Sequence, residues 1–173
     1  DAMGEPFAAG RAWLRSDAAP HWILVALLVV AALLRLTNLN WDQFAHIHPD
    51  ERHLTMVTIA MRLPISLGQF FDSSQSPMNP YNIGYDFFVY GTLPLFIVRV
   101  VAEIAQKINE FAAIWESAPG VPIMMTGYDG VHLVGRFMSG LFDLGVVWLV
   151  YLIGRRLHST RVGLLSAALY TPS

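Results

Sequence analysis

WILVALLVVAALL, residues Trp22–Leu34, is an unbroken apolar run. With Pro20 and His21 before it and Arg35 and Leu36 after it, the run predicts a transmembrane helix over 20–36. That is the short end of the roughly 20 residues a helix needs to cross a hydrocarbon core of about 30 Å. Trp22 and Trp41 are placed to mark the two interfaces, and Arg35 can snorkel back to one of them. A cleaved leader is the rival reading, because Arg11 and Arg15 would serve as its basic region. The residues that follow, RLTNLNW, offer no small-residue cleavage site, so a retained anchor is expected.

The composition agrees with a membrane setting. Of the 173 residues, 54% are hydrophobic and only 14% charged, against about 25% charged in an average soluble domain. A net charge of −2 without a basic patch gives no footprint for nucleic acid. Cysteine is absent, which excludes disulfides, CxxC redox motifs and thiolate metal sites. The chain opens on Asp1 and stops at Ser173 within an apolar segment, and it reads as an excerpt of a longer protein.

A second span is expected over 131–154, VHLVGRFMSGLFDLGVVWLVYLIG, and the start of a third over 162–173. Between spans one and two, LPLFIVRVVAEIAQKINEF (93–111) carries Arg99, Glu103 and Lys107 at helical spacing along one face. Such a stripe suits a helix in the interface plane better than one at the bilayer centre. DERHLTMVTIAMRL (50–63) reads as another amphipathic surface helix, with acids near its N-terminus and Leu54, Val57, Ile59, Ala60, Met61 and Leu63 mostly to one side. FFDSSQSPMNPYNIGYD reads as irregular, and ESAPGVPIMMTGYDG as a loop into span two. The basic turn GRRLHSTR holds three arginines and no acid, whereas residues 37–130 hold nine acids against four bases. The positive-inside rule then puts residues 1–19 and the turn at 155–161 in the cytoplasm and 37–130 outside. The expected class is an all-α, polytopic protein of the cytoplasmic membrane.

FAHIHPDERHL (44–54) crowds histidines, acids and arginine just beyond span one. Asp50 and Glu51, after Pro49, sit at a helix start, where a carboxylate can act as general base for a hydroxyl or amine. The plainer reading is a helix cap and a favourable dipole. His46, His48, Asp50, Glu51 and His53 also offer nitrogen and oxygen ligands, although HxH matches no familiar zinc spacing. Within span two, Arg136 and Asp143 lie two turns apart, on nearly one face. They read either as a structural pair helped by Ser139 or, for Arg136 near the external end, as a planar fork that could bind phosphate.

Taken in order, RLTNLNWDQFAHIHPDE, YGTLPLF and VGRFMSGLFDLGVVWLVYLIGRRLHSTRVGLLSAALY resemble the N-terminal module of the polytopic GT-C glycosyltransferases. The likeness is to the protein O-mannosyltransferase and aminoarabinose-transferase-like group, and it covers most of residues 22–172. The resemblance implies that Asp50 is the catalytic carboxylate, Glu51 its companion and Arg136 the arginine heading the second span. His48, Tyr90 and Pro94 fall in the supporting loop. YGTLPL (90–95) stands where the family motif has a histidine and two prolines, and it holds one proline and no histidine. The family implies a polyprenyl-phosphate-linked sugar donor, transfer on the non-cytoplasmic face and more spans than this chain holds. No cofactor is demanded, though a divalent cation is chemically admissible. The expected partners are the lipid-linked donor, the bilayer and other integral-membrane subunits. A second reading from another class is a non-catalytic accessory subunit built on the same fold. A transporter would want broken spans and paired repeats, and neither is seen.

Overall fold

The computed structural model describes residues 19–113 and 123–172. Among these residues every regular element is helical: α1 (Ala19–Leu36), α2 (Pro49–Ala60), α3 (Leu67–Phe71), a 3-10 turn (Pro80–Ile83), α4 (Thr92–Ala113), α5 (Tyr128–Leu157) and α6 (Thr160–Tyr170). The expected cytoplasmic segment 1–19, save Ala19, lies outside the described residues, as do most of ESAPGVPI and Ser173. Two helices, α1 and α5, are long and apolar enough to cross a membrane. The helices expected over 20–36, 50–63, 93–111, 131–154 and 162–173 correspond to α1, α2, α4, α5 and α6, with ends moved by a few residues.

The chain forms two compact units. One is built from 19–38 and 139–172, the other from 39–113 and 123–138, and α5 contributes to both. In the first unit α1 packs on α6. Leu24, Ala31, Val147, Tyr151 and Ala167 form the buried centre, with Leu27, Leu28, Leu144 and Leu164 around it. Small residues permit the close approach of α5 and α6: a Cβ on Gly163 would lie 2.5 Å from the Tyr151 carbonyl oxygen. Ser159 caps α6 by accepting from the Val162 N–H, so the basic turn is tighter than the expected 155–161. Trp22, Val29, Leu33 and Leu34 of α1 are each more than half exposed, the inverse of a soluble core helix.

Charge is nonetheless placed inside this unit. Arg35 pairs with Asp143, and its NH1 donates to the Thr171 carbonyl at 2.7 Å. The Tyr170 hydroxyl donates to Asp143 Oδ1 at 2.8 Å. These contacts tie α1 to residues more than 100 positions away. They also correct the expected Arg136–Asp143 pair, since each of those residues finds its partners within its own unit.

In the second unit α2 packs on α4, burying Val57, Met61, Phe88 and Leu95. The first turns of α5 pack on α4 through Ala102, Val131 and Val134. α2 stops at Ala60, short of the expected Leu63, with Met61 already extended; Pro64 has no N–H for the Ala60 carbonyl and its ring would clash with it. The stretch expected to be irregular is in fact tied down. Asn82 Nδ2 donates to the carbonyls of Ser73 and Ser76, each at 3.0 Å, and Met78 and Pro80 are buried. Gly84, at φ 93°, closes the 3-10 turn in a conformation that favours glycine.

α4 also departs from expectation. Arg99 is buried rather than part of a solvent stripe, paired with Glu103 and donating to the Ile59 carbonyl. A second apolar stripe, Leu93, Val100, Ile104, Ile108 and Phe111, stays exposed.

Candidate functional site

The site grows from the link between α1 and α2. Asn38, Gln43, Phe44 and His46 all have positive φ, between 47° and 62°. This is an uncommon backbone for residues other than glycine, and most costly for a bulky one such as Phe44. Short bonds hold it: Gln43 N–H to the Asn40 carbonyl, Ala45 N–H to the Asp42 carbonyl, and Phe44 N–H to Asn40 Oδ1. The outcome is that Asp42 and His46 point inward and are buried.

α5 supplies the opposing face. Asp129, His132 and Arg136 recur at i, i+3 and i+7, which aligns them along one side of the helix. Arg136 uses the whole guanidinium. Nε and NH2 donate to Glu51 Oε1 and Oε2 at 2.7 and 2.9 Å. NH1 and NH2 donate to Asp42 Oδ1 and Oδ2 at 3.0 and 2.9 Å, and NH1 also donates to the Leu39 carbonyl at 2.6 Å. These bonds match the five N–H donors a guanidinium has. Trp41 lies over it, 5.0 Å from ring centroid to Cζ. The Arg136 hydrogen bonds drive the Asp42 carboxyl down to about 2 and hold Glu51 below its ordinary value, against the opposing effect of burial.

His132 sits between the same carboxylates with a side chain wholly removed from solvent. Its Nε2 is 3.6 Å from Asp42 Oδ1 and its Nδ1 is 3.5 Å from Glu51 Oε1. Both separations exceed hydrogen-bond length, and both ring nitrogens lack a bonded partner. The His46 ring lies 4.1 Å from that of His132 and 4.0 Å from that of Tyr128, and its Nε2 meets Asp129 at 3.0 Å. Asp42, Glu51 and His132 are the described residues whose donor atoms are grouped closely enough to share a metal ion.

Asp50 stands apart from this cluster. It is exposed, and its Oδ1 accepts from the Tyr90 hydroxyl at 3.0 Å. That bond raises the Tyr90 phenol above its ordinary value. The cap of α2 is His48, whose ring Nδ1 accepts from the Glu51 N–H, with Pro49 in the first turn. Asp50 is therefore free of the capping role that the sequence left open to it. The phosphate-binding role expected of Arg136 is not served by this geometry, because its donors are already taken. Glu51 likewise serves Arg136 rather than Asp50. Pro94 opens α4 close behind Tyr90. Of the donors that the sequence offers a metal, Glu51 lies beside Asp42 and His132, His46 meets Asp129, His48 and Asp50 have other partners, and His53 packs among Tyr85, Phe88 and Tyr90.

Asp42 and His132 complete the site, although neither belongs to a sequence motif. His132 was discoverable from its i, i+4 relation to Arg136 within an apolar segment. Asp42 had no comparable signal, because its burial depends on left-handed backbone at non-glycine residues.

Comparison of the chain with known protein families, curated proteins and solved structures returns no match.

Proposed function

We propose that this all-helical chain is the N-terminal module of a multi-pass membrane glycosyltransferase of the GT-C kind. It moves a sugar from a polyprenyl-phosphate donor to an acceptor on the non-cytoplasmic face of the cytoplasmic membrane, with Asp50 as general base. The observation that carries this reading is the state of Asp50. It is an exposed carboxylate left to a single phenol while its neighbour Glu51 takes the arginine. Tyr90 reaches it from the YGTLPL segment, so two of the three stretches that carry the family resemblance meet in space. A carboxylate so placed can accept a proton from an acceptor hydroxyl or amine. The departing phosphate must be met by a cation other than Arg136. The exposed apolar stripe of α4 suits a helix lying in the interface plane, and the turn at His158 faces the cytoplasm in this topology.

The decisive experiment is a mass-spectrometric profile of glycolipids and glycoproteins in cells carrying the complete gene, as wild type or Asp50→Asn. Loss of one sugar modification in a normally inserted mutant supports the reading and names the product. An unchanged profile refutes it. One observation favours the second reading, a non-catalytic subunit of a larger membrane complex: the full commitment of Arg136 to carboxylates within its own unit. Stable co-purification with other integral-membrane subunits, together with an unchanged profile, would establish that alternative.

A further inference from the structure

We propose that Asp42, Glu51 and His132 bind one divalent transition-metal ion, of which zinc is the representative. The first argument is spacing. Two ligands of a tetrahedral zinc, each at about 2.1 Å, stand about 3.4 Å apart. The His132 nitrogens stand 3.6 and 3.5 Å from Asp42 Oδ1 and Glu51 Oε1. Both are too long for a hydrogen bond, and either one matches the spacing of two ligands on an ion that takes that ring nitrogen. One donor atom from each of the three residues falls in a group no more than 4.8 Å across.

The second argument is satisfaction. An imidazole fully withdrawn from water with both nitrogens unbonded is costly. An ion on one ring nitrogen removes half of that cost directly.

The third argument is charge. With neutral histidines, the acids Asp42, Glu51 and Asp129 outweigh Arg136 by two charges, which one divalent ion balances. The bonds from Arg136 hold both carboxylates in place without using every lone pair, because each carboxylate has about four acceptor positions. A histidine with two carboxylates is a donor set suited to zinc with an open position. The site is independent of which reaction the chain performs.

The test uses the full-length protein, purified in detergent with a tag that contains no histidine, and Zn2+ alone as the probe. About one zinc per chain should survive dialysis and gel filtration. X-ray absorption should show a nitrogen and oxygen shell containing a single imidazole. His132→Gln and Asp42→Asn should each weaken zinc binding by about 100-fold or more, with helicity checked by circular dichroism. A folded wild type that retains no zinc overturns the proposal, as does a His132→Gln protein that keeps it. Should the variants fail to fold, the wild-type imidazole count decides: none, or two and more, overturns the site.

Discussion

The Tyr90 hydroxyl donates to Asp50 Oδ1 at 3.0 Å, joining residues 40 positions apart. The bond orients the carboxylate, and it also marks the phenol. Tyr90 titrates above its ordinary value because the hydrogen bond to Asp50 needs the phenol's proton, with burial and the Asp50 charge acting in the same direction. Stability from this bond is therefore full below the ordinary tyrosine value and is lost as pH rises through the raised one. Tyrosine ring-carbon NMR should show Tyr90 ionising later than a typical tyrosine. In Asp50→Asn its transition should move down, and an unmoved transition would mean that the bond is absent in solution.

Arg136 is the hub of the second unit, and its removal strands Asp42 and Glu51 together. Breaking a buried pair by deleting one partner is among the costlier single changes. Arg136→Met should lower the thermal midpoint by about 10 °C. Arg136→Lys should recover little, because an ammonium cannot fork between two carboxylates and a carbonyl. Full recovery by lysine would show that only charge matters at this position.

Acid should undo the same cluster over a defined range. Asp42 is held at about 2 by the Arg136 hydrogen bonds, below its ordinary 3.8. A depressed carboxyl stabilises the fold above its unfolded value and loses that contribution as pH falls through the folded one. Glu51 is shifted in the same direction. Thermal midpoints should therefore decline between about pH 4 and pH 2. Asp42→Asn should start lower and show a shallower decline, and a wild-type-like slope would place the acid sensitivity elsewhere.

Much of the helical order was legible because apolar periodicity and the Pro and Gly punctuation are local properties. The runs at Trp22–Leu34 and 131–154, and the start of α2 at Pro49, could be read without tertiary knowledge. Pairing is not local. Arg136 and Asp143 share a face on paper, yet Arg35 and Tyr170 reach Asp143 while Asp42 and Glu51 reach Arg136. The polar stripe on α4 failed for a related reason. Its spacing showed that Arg99 and Glu103 could meet, but could not show that Arg99 would turn inward toward the Ile59 carbonyl. The DE pair was legible as a unit, whereas the division of labour between its members was not.

The ion pair in the first unit invites a charge-swap test. Arg35 and Asp143 are mutually bonded, and the pair is extended by Tyr170 and the Thr171 carbonyl. In an apolar unit each single change leaves an uncompensated charge, so Arg35→Gln and Asp143→Asn should each destabilise clearly. The double mutant should cost less than the sum of the two, and the shortfall measures the coupling. Simple additivity would mean that the two side chains act independently.

The contact of α5 with α6 should depend on the absence of two side chains. A Cβ on Gly163 would come within 2.5 Å of the Tyr151 carbonyl oxygen and 2.9 Å of the Arg155 nitrogen. A Cβ on Gly154 would meet the Gly163 backbone at 2.8 Å. These obstacles are backbone atoms, so relief requires the helices to separate. Gly163→Ala should destabilise by about 1–3 kcal/mol, the usual cost of overpacking a well-filled contact. Gly145 lies in α5, the helix of Gly154, with open space where its Cβ would go. Gly145→Ala should instead be neutral or stabilising by up to about 1 kcal/mol, through helix propensity. Detergent-solubilised thermal denaturation of the two variants side by side separates packing from propensity, and equal effects would refute close α5–α6 contact at the glycines.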